Sequence, residues 1–286
     1  MCLEGLMKTK QWLQSNNVTG ECENIQQTIK GRCNICGRQT TFSFTDPLLC
    51  RESLFCSFCN TNSRYRSVAR GILRAVNELT GLQAQSLAEL RRLRPAKSLS
   101  FYDTQLPFYH VGCAYPIPEL LRRCRWIDLH LSSYREHYAL GLQLAPHITN
   151  QNLERLTFPD DHFDVVITSD VMEHVRLDFE AHQEIARVLK PGGVYLFTVP
   201  HYRHGRETIV RVAVVDPLDS SKDQFLMEKE YHGDANSAGH TALSYRVFGT
   251  ELDDLLTELG FIVDYTSQDF PETGIMNTEL FYCRLL

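Results

Sequence analysis

Two apolar runs, Phe163–Thr168 (FDVVIT) and Val194–Val199 (VYLFTV), constrain the fold more than any other feature. Neither alternates apolar with polar residues, so each reads as a strand covered on both faces. Between them Phe179, Ile185, Val188 and Leu189 mark an amphipathic helix over Phe179–Leu189, and Pro191-Gly192-Gly193 turns the chain into the second run. Strand, helix and strand in this order make a βαβ unit, which builds a parallel sheet inside an α/β fold. The same alternation begins at Lys97. It predicts a first strand at Ser98–Tyr102, a helix at Pro118–Arg123 with proline in its first turn, and a second strand at Arg125–Leu131. Near the end, Thr250 and Asp253 have capping-box spacing, and Gly260 closes the helix they open. Two last strands follow at Phe261–Thr266 and Leu280–Leu285.

Upstream, the chain changes character. Residues 1–28 are polar and form a loosely ordered lead-in, residues 29–63 carry paired cysteines, and residues 64–95 read as a helical linker. Val68, Ile72, Val76 and Leu79 define one linker helix, Leu87, Leu90 and Leu93 a second, with a break at Thr80-Gly81. Residues 96–286 form the main domain, with 201–249 as an insert. No apolar run approaches the roughly 20 residues of a membrane span. The opening MCLEGLMKTKQWLQ lacks the apolar core of a signal peptide, so a cytoplasmic protein is expected.

Of the ten cysteines, Cys33, Cys36, Cys56 and Cys59 form two C-x-x-C knuckles. In a cytosolic chain such pairs are metal ligands more often than disulfides. Gly37 and Asn60, each tolerant of positive φ, follow the second cysteine of each knuckle and let backbone amides fold over the sulfurs. Four thiolates close a tetrahedral zinc sphere, so the ion is expected to be structural and to supply folding energy to a segment poor in apolar residues. The net charge is −6, but residues 30–74 hold eight basic side chains (Lys30, Arg32, Arg38, Arg51, Arg64, Arg66, Arg70, Arg74) against Asp46 and Glu52. That excess reads either as a polyanion-binding face or as a solvated helix face with charges offsetting the thiolates.

The segments Asn152–Val175 (NLERLTFPDDHFDVVITSDVMEHV) and Val188–Pro200 (VLKPGGVYLFTVP) resemble the class I, seven-stranded S-adenosylmethionine-dependent methyltransferases. The resemblance extends over residues 96–286 and is densest from Asn152 to Pro200. It implies a Rossmann-like, mostly parallel seven-stranded sheet with helices on both faces, here preceded by a small zinc-ribbon-like module. It implies S-adenosylmethionine as cofactor, bound outside the carboxyl ends of the strands. Carried over residue by residue, Tyr102, Asp103 and Thr104 meet its methionine end. Asp128 or His130 takes the ribose. Asn152 accepts from the adenine amino group, Leu153 flanks the ring, and Ser169, Asp170, Val171 and His174 line the sulfonium side. Asp164 begins a strand, and Glu173 reads as structural. The family's glycine-rich turn is missing: Tyr102–Phe108 reads YDTQLPF, with no glycine before Gly112.

Polar residues beyond the fifth strand (His201, Tyr202, His204, Arg206, then Glu230–Asp234, Tyr245 and Arg246) could build an acceptor pocket. His201 and His232 are the candidate bases or orienting groups, and the insert reads as a lid hinged at Gly233 and Gly239. Three functions stay open: methylation of a small-molecule acceptor, methylation of RNA gripped by the basic zinc module, or an interaction protein that has lost its cofactor.

Overall fold

The structure is a computed structural model describing residues 27–104, 116–233 and 241–286. The lead-in up to residue 26, the stretch after Thr104 that includes Phe108 and Gly112, and the segment with Asp234 and Gly239 lie outside these residues.

The chain opens with a three-stranded antiparallel sheet: β1 (Gln27–Arg32), β2 (Gln39–Phe44) and β3 (Phe55–Cys56). The knuckles occupy its turns. Helix α1 (Ser63–Thr80) follows. The Asn62 side chain caps its first turn by accepting from the Tyr65 amide at 3.0 Å, and Gly81, at φ 74°, ends it. The break at Thr80-Gly81 is where the spacing placed it. The second linker helix shrinks to one turn, Leu87–Leu90.

The main sheet comprises β4 (Leu99–Asp103), β5 (Ile127–Ser133), β6 (Gln143–Ala145), β7 (Ile148–Asn150), β8 (Phe163–Ser169), β9 (Leu189–Thr198), β10 (Phe261–Thr266) and β11 (Leu280–Leu285). Their spatial order is β10-β11-β9-β8-β4-β5-β7-β6. From β7 to β9 neighbours run parallel, whereas β11 is antiparallel to both β9 and β10. Leaving aside the short antiparallel edge strand β6, this is a seven-stranded Rossmann-like sheet whose chain order reverses between β4 and β8.

The βαβ unit has the expected parts, with α2 at Asp178–Val188. Pro191-Gly192-Gly193 is not a free turn, however. It lies within β9, where the register with β8 jumps from Phe163↔Leu189 to Val165↔Val194, as in a bulge. The capping box at Thr250 does not form: Thr250 is itself helical (φ −70°, ψ −10°) and its side chain caps nothing. The Asp253 carboxylate instead binds Arg203 at 2.6 Å. Gly260, at φ 91°, does close helix α3 (Glu251–Glu258).

Helices cover both faces. On one, α1 lies so close that a Cβ on Gly71 would stand 3.0 Å from Leu280 and 3.1 Å from Leu196. The helix read as a linker is thus a layer of the fold. Ile29, Ile35, Phe42, Phe44, Cys50 and Leu54 of the cysteine segment join Leu99, Phe101, Val165, Ile167 and Leu196 in one continuous apolar cluster. The segment that seemed too poor in apolar residues for a core shares the core of the main sheet. The opposite face buries α2 and α3 against Phe163, Tyr195, Phe197 and Phe281.

Candidate functional site

At the knuckles, Gly37 (φ 75°) and Asn60 (φ 51°) adopt the positive φ read from their positions. Their amides donate to the carbonyls of Cys33 (2.8 Å) and Cys56 (2.9 Å), which tightens both turns. The four sulfurs gather within 4.8 Å of one another. Zn–S bonds of about 2.3 Å place neighbouring sulfurs of a tetrahedron about 3.8 Å apart. Cys33 Sγ and Cys59 Sγ stand 3.7 Å apart, so the donor set fits the ion.

The carboxyl ends of β4, β5, β8 and β9 form the edge where a nucleotide belongs in such a sheet. Asp103 ends β4 and is wholly buried. Tyr102, also wholly buried, packs on Phe163 and hydrogen-bonds Ser132 at 2.7 Å, so it props the edge from within the core. Thr104 donates its amide to Ile167 and bridges the two strand ends.

Strand register bears on Asp128 and His130, because β4 pairs Ser100 with Asp128, Tyr102 with His130 and Asp103 with Leu131. Asp128 therefore lies three residues, roughly 10 Å, short of the carboxyl edge. It is exposed and bonds His130 Nε2 at 3.2 Å. His130 is the nearer of the two, packed on Phe158 and Phe163. Asn152 uses its side-chain oxygen to accept the Glu154 amide at 3.0 Å, and Leu153 is buried in the core beside Met172.

At the end of β8 the Ser169 hydroxyl meets Thr198 at 2.9 Å, and Val171 packs onto the core beneath. Asp170, at φ 52°, does not face an open pocket. Its carboxylate takes both oxygens to Arg51 (2.6 and 2.8 Å) and approaches Arg64 at 3.1 Å. Burial pushes the Asp170 carboxyl up, but the guanidiniums of Arg51 and Arg64 outweigh it and hold it well below the usual range. Both arginines come from the cysteine module and the start of α1, and residue spacing gave no sign of either. Other basic residues of this stretch are held by different contacts. Arg66 is fully buried and donates to the carbonyls of Leu54, Thr61 and Gly274. Arg38 stacks on Phe58, Arg70 on Phe270, Arg74 binds Glu78, and Arg32 binds Glu89. Arg64 and Arg66 are thus buried and Arg51 partly so, whereas Lys30, Arg32, Arg38 and Arg74 stay exposed, so only part of the basic excess is taken into the interior.

Beyond Asp170, a 3-10 turn (Met172–His174) carries Glu173 and His174. Glu173, read from the sequence as structural, is wholly buried, and neither carboxylate oxygen has a hydrogen-bond partner. His174 Nε2 stands 3.6 Å and His232 Nδ1 3.7 Å from its Oε1, with the two rings 4.9 Å apart. The Glu173 carboxylate, ahead of Glu230, pushes His232 up to about 9 against the effect of burial. With no cation between them, the two carboxylates favour the protonated imidazole, which suits His232 poorly to the role of a base. The insert is stitched down here: the Tyr245 amide donates to Glu173 O (2.8 Å), and Arg246 donates to the carbonyls of Val175 and Arg176. His201 does not join the cluster. It bonds the Gly249 carbonyl at 3.1 Å, packs on Tyr265 and Phe281, and is pushed down to about 4 by burial and Arg203.

Fold and edge together define a Rossmann-like α/β domain with a mostly parallel central sheet. Residues 111–197 match the family described as a methyltransferase domain. Two ubiquinone/menaquinone biosynthesis C-methyltransferases are similar in sequence. That of Vibrio campbellii is 31% identical over 126 residues, covering 40% of this chain and 44% of the relative. That of Laribacter hongkongensis is 35% identical over 115 residues, covering 39% and 45%. The chain thus spans less than half the length of these relatives. An S-adenosylmethionine-dependent methyltransferase from Mesorhizobium loti overlays with a TM-score of 0.38 at 17% identity, covering 69% of this chain and 97% of that one. Among the described residues no helix is long and apolar enough to cross a membrane.

Proposed function

We propose that this protein transfers a methyl group from S-adenosylmethionine to a small-molecule acceptor. The observation that carries the reading is the switch point between β4 and β8, of which β8 lies within the segment matching the methyltransferase domain and β4 just before it. The C-methyltransferase relatives favour a small acceptor and leave its accepting atom open. S-adenosylmethionine, when bound, supplies an electrophilic methyl group on its sulfonium. Asp103, at the end of β4, would bind its amino group, His130 would approach the ribose, and Asn152 would accept from the adenine amino group through its second lone pair. Ser169 and the Asp170–Arg51–Arg64 cluster form a fixed wall, which favours in-line transfer by positioning. His174 and His232 hold the acceptor side. His201 supports the strand ends through Gly249 and is not assigned to the chemistry. A zinc ion on Cys33, Cys36, Cys56 and Cys59 would lock the module that delivers Arg51.

RNA is the weaker reading of the acceptor, because Arg51, Arg64 and Arg66 of the basic module are engaged within the protein. Calorimetry of the folded, zinc-loaded protein tests the proposal. Micromolar binding of S-adenosylmethionine and S-adenosylhomocysteine is expected; no binding of either would leave an interaction protein with a methyltransferase fold.

A further inference from the structure

We infer that Glu173, His174 and His232 form a second metal site, for a divalent first-row transition ion, separate from the four cysteines. Three observations carry this. First, the Glu173 carboxylate is wholly buried with both oxygens lacking hydrogen bonds, an arrangement that calls for a cation close by. Second, the two imidazole nitrogens facing it stand at 3.6 and 3.7 Å, too far to share a proton with it. Ligands bonded at about 2.1 Å to one tetrahedral ion are about 3.4 Å apart, so these spacings suit atoms that share a cation. All three ligand atoms lie within 4.8 Å of one another.

Third, the outer nitrogens are already committed. His174 Nδ1 donates to the Leu243 carbonyl at 2.9 Å, which leaves the Nε2 lone pair directed at Glu173. His232 Nε2 donates to Glu230 Oε1 at 3.0 Å, and Arg211 in turn holds Glu230, which leaves Nδ1 inward. Outer-shell acceptors that fix the tautomer and aim the ring are the usual support of a histidine metal ligand. Two imidazoles with one carboxylate select zinc, iron, cobalt or nickel over magnesium or calcium. Three protein ligands leave coordination positions open, so the ion could also hold an oxygen of an acceptor molecule. The ligands come from the turn after β8 and from the insert strand Tyr231–Gly233, so the ion would also clip the insert to the sheet.

Protein loaded with one zinc per chain at the four cysteines, without S-adenosylmethionine, is titrated with Co2+. We expect one further Co2+ per chain, with weak d–d absorption and no thiolate charge-transfer band. Glu173→Gln and His232→Ala should each weaken uptake at least about tenfold. His232 is partly exposed on a short strand, so its variant tests the site even where the Glu173 variant fails to fold. Absence of saturable uptake by the wild type, or uptake that persists in the His232 variant, would overturn the site. A failure of cofactor binding alone would sink the methyltransferase reading and leave this one standing.

Discussion

Asp170 shows how far a motif reaches at the scale of one residue. Its position after the fourth parallel strand was legible from FDVVITSD, but its partners were not, since Arg51 lies 119 residues away. Once Arg51 and Arg64 are seen, the residue reads as the anchor of an ionic bridge between the cysteine module and the sheet edge. Removing one member of a partly buried pair strands the others. Asp170→Asn should therefore lower stability by about 2–4 kcal/mol, read from urea midpoints, and Arg51→Met with Asp170→Asn should recover part of the loss. His182 carries the opposite charge logic. It is wholly buried among Tyr195, Phe197 and Phe248, and burial, then Arg246, pushes it down to about 3. Its folded pKa lies below the unfolded value of about 6.5, so the unfolded chain binds the extra proton and stability falls as pH drops from about 6.5 towards about 3. At about pH 4.5 this group alone costs roughly 2–3 kcal/mol. His182→Phe should flatten that part of the stability–pH curve; an unchanged acid limb would show that other groups carry it.

At the scale of elements, local signals held where one element could satisfy them. The break after Thr80 needs only Gly81 at φ 74°, and the helix before Gly260 stops as predicted. The capping box failed because Arg203 captures Asp253, a tertiary contact that spacing cannot report. A comparable contact sets the loop before β11. Gly274, at φ 70°, presses its α-carbon against the Phe42 ring, where a Cβ would stand 2.6 Å away, and its carbonyl receives Arg66. Gly274→Ala would meet both a disfavoured backbone region and a fully packed ring. A loss of about 2–4 kcal/mol is expected in chemical denaturation; a loss below about 0.5 kcal/mol would mean that the loop shifts freely.

At the scale of the whole molecule, the continuous apolar cluster from Ile29 to Leu196 makes the cysteine module part of the main core. Metal loss should then not release an independent small domain. Strong chelation under reducing conditions is expected to lower the melting temperature by roughly 10 °C or more, because structural zinc contributes folding energy directly. Calorimetry should show one shifted transition; two resolved transitions would mean that the module unfolds alone.

By itself the sequence determined the βαβ frame, the four clustered thiols with their positive-φ partners, and the edge of the sheet where chemistry belongs. Those features rest on periodicity and on short-range backbone geometry, which a chain carries in its local order. The tertiary structure alone decided that Arg51, Arg64 and Arg66 are clamps between the module and the sheet, that the expected linker helix is a layer of the fold, and that Asp128 falls short of the edge while His130 nears it. It also decided that Glu173, passed over as structural, is a bare buried carboxylate facing two histidines. Each of these depends on strand register or on partners far apart in the chain, and neither is encoded in spacing.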